Sequence, residues 1–268
     1  MRTLSDLVTS LYNYKEYLRF LQHRKRRVFG FGILLVTLYF LLTIVFPVVR
    51  FQINTGGLYK LLNENVPDFE LSNGVLWAED VYEYEDGKTI FIVDTTGKEI
   101  DIESLLRNYN EIFLLDAEKM VVKSEGETNI MSYDELGLEF DRAQAIEAIN
   151  NFAVIGGLLL GVVIYFWMWG TFFLGVLFVT LIAMIISSAM KTGLTFGRIY
   201  MLAVYSRTLP LLIKAVVSLL PFTIPFFWVL NFGLSLIILA VVFSQIKSEQ
   251  QRQQAAQQQA YQDQYGIR

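Results

Sequence analysis

Apolar and polar positions divide the chain into segments of three kinds. No residue from Val28 to Val49 is charged, and the run from Asn150 to Met190 is uncharged over nearly twice that length. A hydrocarbon core of about 30 Å needs roughly 20 apolar residues in a helix, so the first run predicts one membrane span, 28–49, and the second predicts two. The second run breaks most naturally at Trp167-Met168-Trp169-Gly170, where interfacial tryptophans and a glycine suit a tight turn, giving spans at about 150–168 and 171–190. After Lys191-Thr192-Gly193 come a moderately polar helical stretch to Arg207, an apolar one from Pro210 to Leu220, and the proline-interrupted Pro221-Phe222-Thr223-Ile224-Pro225. A last apolar run extends from Phe226 to about Ile246. These predict spans at about 199–220 and 226–246, so the bundle of residues 148–246 holds four spans and the chain about five.

The polar segments carry their own periodicities. In residues 1–27, Leu4, Leu7, Val8, Leu11, Tyr14, Leu18 and Leu21 recur at three- and four-residue intervals, the signature of an amphipathic helix, with Asp6, Asn13, Glu16 and Arg19 opposite. Such a helix either lies in the membrane interface or packs on the protein's own bundle. Residues 50–147 alternate apolar stretches with turn signals, which predicts a folded α+β domain. Helices are expected at Leu58–Val66 and Asp101–Asn108. Strands are expected at Phe69–Leu76, Val81–Tyr84, Thr89–Asp94, Ile112–Leu115, Met120–Lys123 and Asn129–Tyr133, with a hairpin at Glu85-Asp86-Gly87-Lys88. Asp141 to Asn150 leads helically into the next span. Residues 247–268 contain a glutamine-rich run that reads as a frayed extension of the last helix followed by disorder.

Composition sharpens the membrane reading, because a hydrophobic fraction of 54% and a mean hydropathy of +0.42 exceed what a soluble domain needs. Charge then orients the chain. His23-Arg24-Lys25-Arg26-Arg27 abuts the first run, and clustered Lys and Arg are retained on the cytoplasmic side. Arg24, Lys25, Arg26 and Arg27 are therefore the topology determinants of an uncleaved signal anchor with a cytoplasmic N-terminus. Residues 50–147 are then extracytoplasmic; across 50–150 there are 22 acidic and 8 basic side chains, a balance of -14. Five crossings would put the C-terminus outside and leave Lys191, Arg198 and Arg207 near the outer face, against the positive-inside tendency.

The juxtamembrane basic span, Pro67-Asp68-Phe69-Glu70-Leu71-Ser72-Asn73-Gly74, Asp94-Thr95-Thr96-Gly97, and the stretch from Thr195-Phe196 to Tyr205-Ser206-Arg207-Thr208-Leu209-Pro210 together resemble domain of unknown function family 1189. That is a group of bacterial membrane proteins, some labelled as maltodextrin-utilisation proteins. The late bundle also looks like the five-span Yip superfamily. The resemblance implies a multi-pass protein of a bacterial cell membrane and carries no catalytic residue with it.

Candidate chemistry is sparse. The chain has no cysteine and a single histidine, His23, which reads as a solvated juxtamembrane residue. Asp94-Thr95-Thr96-Gly97 lacks the second carboxylate of an aspartic protease and reads as a strand-ending turn. The carboxylates Glu79-Asp80, Glu83, Glu85-Asp86, Glu99, Asp101 and Glu103 lack the spacing of a calcium loop and read as a solvated acidic surface. Gly157 and Gly161 form a small-xxx-small pair, for which packing within the chain is the expectation. No catalytic, cofactor-binding or metal site is expected, and no nucleic-acid partner.

The sequence thus predicts a membrane α-helical bundle with an inserted small α+β extracytoplasmic domain. Its expected role is that of a non-enzymatic scaffold, accessory or sensing protein whose domain binds a ligand or a protein partner. A transporter or channel component, linked to sugar uptake, is the alternative. Tyr200, Arg207 and Lys214 follow one another at seven-residue spacing and form the candidate bundle face. No Asp or Glu lies between Glu147 and Glu249, so membrane lipid is the partner expected for these cations. The other reading lays the helix from Thr195 to Thr208 along the interface, with Lys214 reaching the headgroups.

Overall fold

A computed structural model describes residues 2–98, 100–220 and 224–265. The side chain of Leu4, the residue Glu99 and the segment Pro221-Phe222-Thr223, each of which carries an expectation above, lie outside the described residues. The chain forms two compact units, Met1–Val49 with Leu159–Arg268, and Arg50–Leu158.

The first unit is helical. Its elements are α1 (Arg2–Tyr12), α2 (Tyr17–Phe20) and α3 (Lys25–Phe40), followed by a π-helical turn at Leu41–Val45 and α4 (Phe46–Thr55), whose last residues belong to the second unit. The π turn precedes Pro47, which has no N–H to give to a carbonyl one turn back. Four helices are long and apolar enough to cross a membrane: Lys25–Asn65, Arg142–Met190, Phe196–Val217 and Phe227–Gln259.

The count differs from the expected five because the long uncharged run is one unbroken helix from Arg142 to Met190. Its 49 residues correspond to about 74 Å. Gly170 could end a helix, but a break at Trp167-Met168-Trp169-Gly170 would strand backbone N–H and C=O groups among apolar side chains. Thr171 instead donates its hydroxyl to the Trp167 carbonyl at 2.9 Å, inside the continuing helix. The expected packing on Gly157 and Gly161 is also not found, since a Cβ at either position would meet nothing within 4 Å.

The N-terminal segment packs on the bundle with Leu7, Tyr14, Leu18 and Leu21 of the expected stripe against its core, and departs from that stripe at two positions. Asp6, assigned to the solvent side, is only 7% exposed, whereas Val8, assigned to the apolar stripe, is 49% exposed. The reason is Arg27, whose Nε and Nη2 donate to the two Asp6 oxygens at 2.9 and 2.8 Å. Ser10 donates to Thr208 at 3.0 Å, and the buried Tyr17 hydroxyl donates to the Ser10 carbonyl at 2.8 Å. Phe20 stacks on Tyr205 with ring centroids 3.9 Å apart. His23 is half-buried, its Nδ1 2.9 Å from the Tyr205 hydroxyl, and so is not the freely solvated residue expected.

In the second unit the chain turns at Gly56 and Gly57, both at positive φ (78° and 88°), into α5 (Gly57–Asn65). Two sheets follow. One joins β1 (Phe69–Ser72), β2 (Val75–Ala78) and β8 (Phe140–Asp141) in the order β2-β1-β8. The other joins β3 (Tyr82–Asp86), β4 (Thr89–Val93), β5 (Glu111–Leu115), β6 (Lys119–Ser124) and β7 (Glu127–Ser132) in sequential order. The expected single strand over Phe69–Leu76 is a hairpin, because Asn73 and Gly74 adopt φ of 49° and 73°, the two positive angles of a tight two-residue turn. The hairpin expected at Asp86-Gly87 is present, with Asp86 paired to Thr89. The β4–β5 pair is parallel, and its crossover is α6 (Ile102–Asn108), capped by Asp101, which accepts from the Ser104 N–H at 3.0 Å. α6 covers one face of the large sheet, burying Ile90, Ile92, Ile112, Leu114 and Val121 with Leu105 and Leu106. After β7 come α7 (Tyr133–Leu136), β8 and α8 (Arg142–Met190), the long helix already described.

The bundle is completed by α9 (Phe196–Ser206), α10 (Thr208–Val217) and α11 (Phe227–Tyr265). α9 packs into the bundle core, with Leu202, Ala203, Val204 and Tyr205 fully buried. The glutamine-rich run continues α11 as helix to Tyr265, further than a frayed extension would reach.

Two predictions follow from these contacts. Burial, with Arg27 and Arg19 nearby, lowers the His23 pKa, while Asp6 opposes the shift. The fold therefore favours neutral imidazole, so docking of the N-terminal segment is complete above the ordinary value of about 6.5 and weakens as pH falls through the lowered folded value. Limited proteolysis should cut before Lys25 faster at pH 5 than at pH 7.5, and His23→Gln should flatten that difference. In the sheet unit, Arg142 donates Nε to the Val66 carbonyl at 2.8 Å and Nη1 to Asn63 Oδ1 at 3.2 Å, tying the start of α8 to the end of α5. Arg142→Ala should lower the stability of the isolated domain by about 1.5–3 kcal/mol, the worth of a charged hydrogen bond, measured by urea unfolding of residues 56–150.

Candidate functional site

The large sheet has a second face that α6 does not cover. Side chains of directly paired residues share a face, so the register Tyr84–Phe91 and Phe91–Phe113 places these three aromatics together, with Tyr82 beside Val93 and Leu115 beside Met120. The small sheet and α7 close over part of this face and leave a cavity of about 660 Å³. Its walls are apolar and include Leu71, Leu76, Phe91, Leu115, Met120 and Phe140. Beyond the covered part, Tyr82, Tyr84 and Phe113 are 50%, 54% and 40% exposed, so the apolar surface continues outward from the cleft.

The walls are tied together. Leu76 in β2 donates its N–H to the Ala117 carbonyl at 2.8 Å, and the Ala78 N–H donates to the Thr95 hydroxyl at 3.0 Å. Asp94-Thr95-Thr96-Gly97 thereby acquires a structural role. It ends β4, Thr95 staples the two sheets, and Asp94 accepts from the N–H and hydroxyl of Thr96 at 2.9 and 2.6 Å. Those hydrogen bonds hold the exposed Asp94 carboxyl below its ordinary pKa.

Asn65, Asp80, Tyr82 and Tyr133 bring polar groups to the lining, and among them the Tyr133 hydroxyl is buried without a partner. Tyr133 is 5% exposed; its backbone N–H donates to the Glu118 carbonyl at 3.0 Å, while its hydroxyl is buried without a hydrogen-bond partner. Burial, and secondarily the Asp116 carboxylate, push its pKa up to about 12. It therefore stays protonated, able to donate one hydrogen bond and accept others. Sequence reasoning placed Tyr133 at the end of a strand and gave it no role. Aromatic residues at strand ends are common, and nothing local marks one whose hydroxyl has no partner.

The candidate residues of the bundle occupy three environments. Tyr200 is half-buried against the core and 6.2 Å from the Phe196 ring. Arg207, where α9 passes into α10, is 6% exposed. Lys214 is exposed, with Nζ 5.6 Å over the Tyr39 ring. Arg24, Lys25 and Arg26 are exposed and Arg27 is half-buried on Asp6. Among the described residues, no three His, Asp or Glu side chains are grouped as metal ligands would be.

No curated protein and no solved structure matches the chain. A family profile does, over residues 4–243, which take in α1, the sheet domain and most of the bundle. The chain belongs to the protein family of unknown function DUF1189.

Proposed function

We propose that this is a non-enzymatic, multi-pass cell-membrane protein that captures an apolar ligand in the cleft of its extracytoplasmic sheet domain. The observation that carries the reading is the cavity of about 660 Å³ with one unpartnered, buried hydroxyl among apolar walls. Its size falls within the roughly 300–1,000 Å³ of small-molecule sites, and apolar walls with few polar groups are their usual character. A ligand that places one hydrogen-bond acceptor at Tyr133 and apolar surface elsewhere, such as an acyl chain with a carbonyl head, fits both features. The exposed Tyr82, Tyr84 and Phe113 beside the cleft offer a protein partner a surface contiguous with the ligand.

Orientation follows from charge. With the basic run from Arg24 to Arg27 cytoplasmic, four crossings return the chain to the same side, so that Lys191, Arg198 and Lys247 join it there. The conflict raised by five crossings disappears. α9 and α10 together, Phe196–Val217, span 22 residues, or about 33 Å, one hydrocarbon thickness.

A reporter active only outside the cytoplasm should work when inserted after Gly87, and a reporter active only inside should work when fused after Tyr265. Silence at Gly87 would overturn the orientation, and an outside C-terminus would mean an odd number of crossings. For the cleft, Tyr133→Phe should move two quantities in opposite senses. Removing an unpartnered buried hydroxyl should raise ligand-free stability by about 1 kcal/mol, whereas loss of a hydrogen bond should weaken binding of a fatty-acyl probe roughly three- to tenfold. Titration calorimetry and thermal melts of residues 50–158 measure both. A cleft-filling Leu115→Trp that leaves probe binding unchanged would place the ligand elsewhere.

A further inference from the structure

The helical bundle contains a buried cation that has no counter-charge among the described residues. Arg207 is 6% exposed, and its Nε and Nη1 are buried without a hydrogen-bond partner. Among the described residues it forms no ion pair; the one buried carboxylate near the N-terminus, Asp6, is taken by Arg27. The polar groups around the α9–α10 junction are committed elsewhere. Asn231 donates to the Pro210 carbonyl at 2.8 Å, Ser235 to the Asn231 carbonyl at 3.0 Å, and Thr208 to the Tyr205 carbonyl at 2.8 Å. What Arg207 does have is an aromatic face, with Cζ 4.6 Å over the Phe232 ring. Cation–π contact offsets part of the desolvation of a guanidinium but leaves its in-plane N–H donors unused.

The guanidinium is also open to approach at one place. Its Nη2 lies 3.6 Å from the position a Cβ would take on Gly175, and Gly175 is itself only half-buried. A Cβ there would stand in ordinary contact with Nη2 and, at 3.5 Å, with the edge of the Phe232 ring, so a larger side chain at this position would cover the space that glycine leaves beside the guanidinium. Free donors in a planar fork, a ring behind them and a glycine gap beside them match the geometry by which arginine takes two oxygens of one oxyanion. A charge held among apolar side chains in a membrane bundle marks a functional site when its partner is missing from the chain.

We propose that Arg207 anchors a phosphate-binding site in the bundle, with Phe232 as its back wall and Gly175 as its opening. The phosphate is supplied by a phospholipid headgroup or by free inorganic phosphate. This site is independent of the cleft in the sheet domain and stands or falls without it.

The test uses the full-length protein in a mild detergent. Native mass spectrometry with phosphatidylglycerol added should show about one phospholipid retained per chain. Arg207→Gln should weaken retention by about tenfold or more, the loss expected when a charge-assisted hydrogen bond is removed. Arg252→Gln, which removes an exposed cation of α11, should leave it within about twofold. In a parallel thermal melt, inorganic phosphate that raises the midpoint of the wild type and not of Arg207→Gln, with no lipid retained, would assign the site to free phosphate. Should Arg207→Gln fail to fold, Gly175→Leu closes the opening and leaves the charge in place; it should lower retention comparably. Wild-type protein that retains no phospholipid and does not respond to inorganic phosphate overturns the proposal. Retention that neither Arg207→Gln nor Gly175→Leu reduces also overturns it.

Discussion

Polar groups surrounded by apolar side chains must find their partners within the fold, and much of this structure follows from that one constraint. A helix satisfies its own backbone only while it continues. The helix that starts at Arg142 therefore does not turn at the tryptophans and glycine of its uncharged run, but extends to Met190. The same requirement governs the N-terminus. Arg27 opens the first long helix at the edge of the apolar region, and the segment before it folds back so that Asp6 can take both of its donors. Once Asp6 is committed, Ser10, Tyr17 and Phe20 fall against Thr208 and Tyr205, and the amphipathic helix becomes part of the bundle wall.

In the sheet domain the constraint acts on chain ends. α5 ends at Asn65 with orphan carbonyls, as every helix does; from the start of α8, Arg142 donates Nη2 to one of them, that of Asn63, and Nε to the Val66 carbonyl just beyond. One side chain thus closes the domain at its two junctions with the helices. The staples from Leu76 to Ala117 and from Ala78 to Thr95 fix the sheets against each other. A cleft with walls held in this way needs little ordering when a ligand enters, which lowers the entropic cost of binding.

The features legible in the sequence are those whose causes are local. The Asp86-Gly87 hairpin, the Asp101 cap of α6 and the strand-ending turn after Val93 each depend on one or two residues whose backbone preference or side-chain acceptor acts within a few positions. Asn73-Gly74 was equally local, yet the apolar residues on both sides read as one strand and hid the turn between them. The membership of Asp6 in the buried face was not legible, because its cause lies 21 residues away in Arg27. Helix continuity through Gly170 was not legible for a related reason. The tendency of a glycine to end a helix depends on what would satisfy the freed backbone, which is a property of the surroundings and not of the residue.

Among the described residues four side chains keep a buried polar atom without a partner, Tyr133, Trp169, Arg207 and Gln245, and Tyr133 and Arg207 differ in kind. The Tyr133 hydroxyl is neutral, so leaving it unpartnered costs about 1–3 kcal/mol, an expense that even a weakly polar ligand atom can relieve. Arg207 carries a charge that cannot be shed at any physiological pH, and a Lys in its place could have neutralised itself on burial. A fold that needed only apolar packing at that point would place a leucine or methionine there with less cost. In the proposed cleft, Tyr133 would therefore select for an apolar molecule with one acceptor. At the proposed site Arg207 would select for an anion, with Phe232 covering one face of the guanidinium and Gly175 leaving its edge within reach.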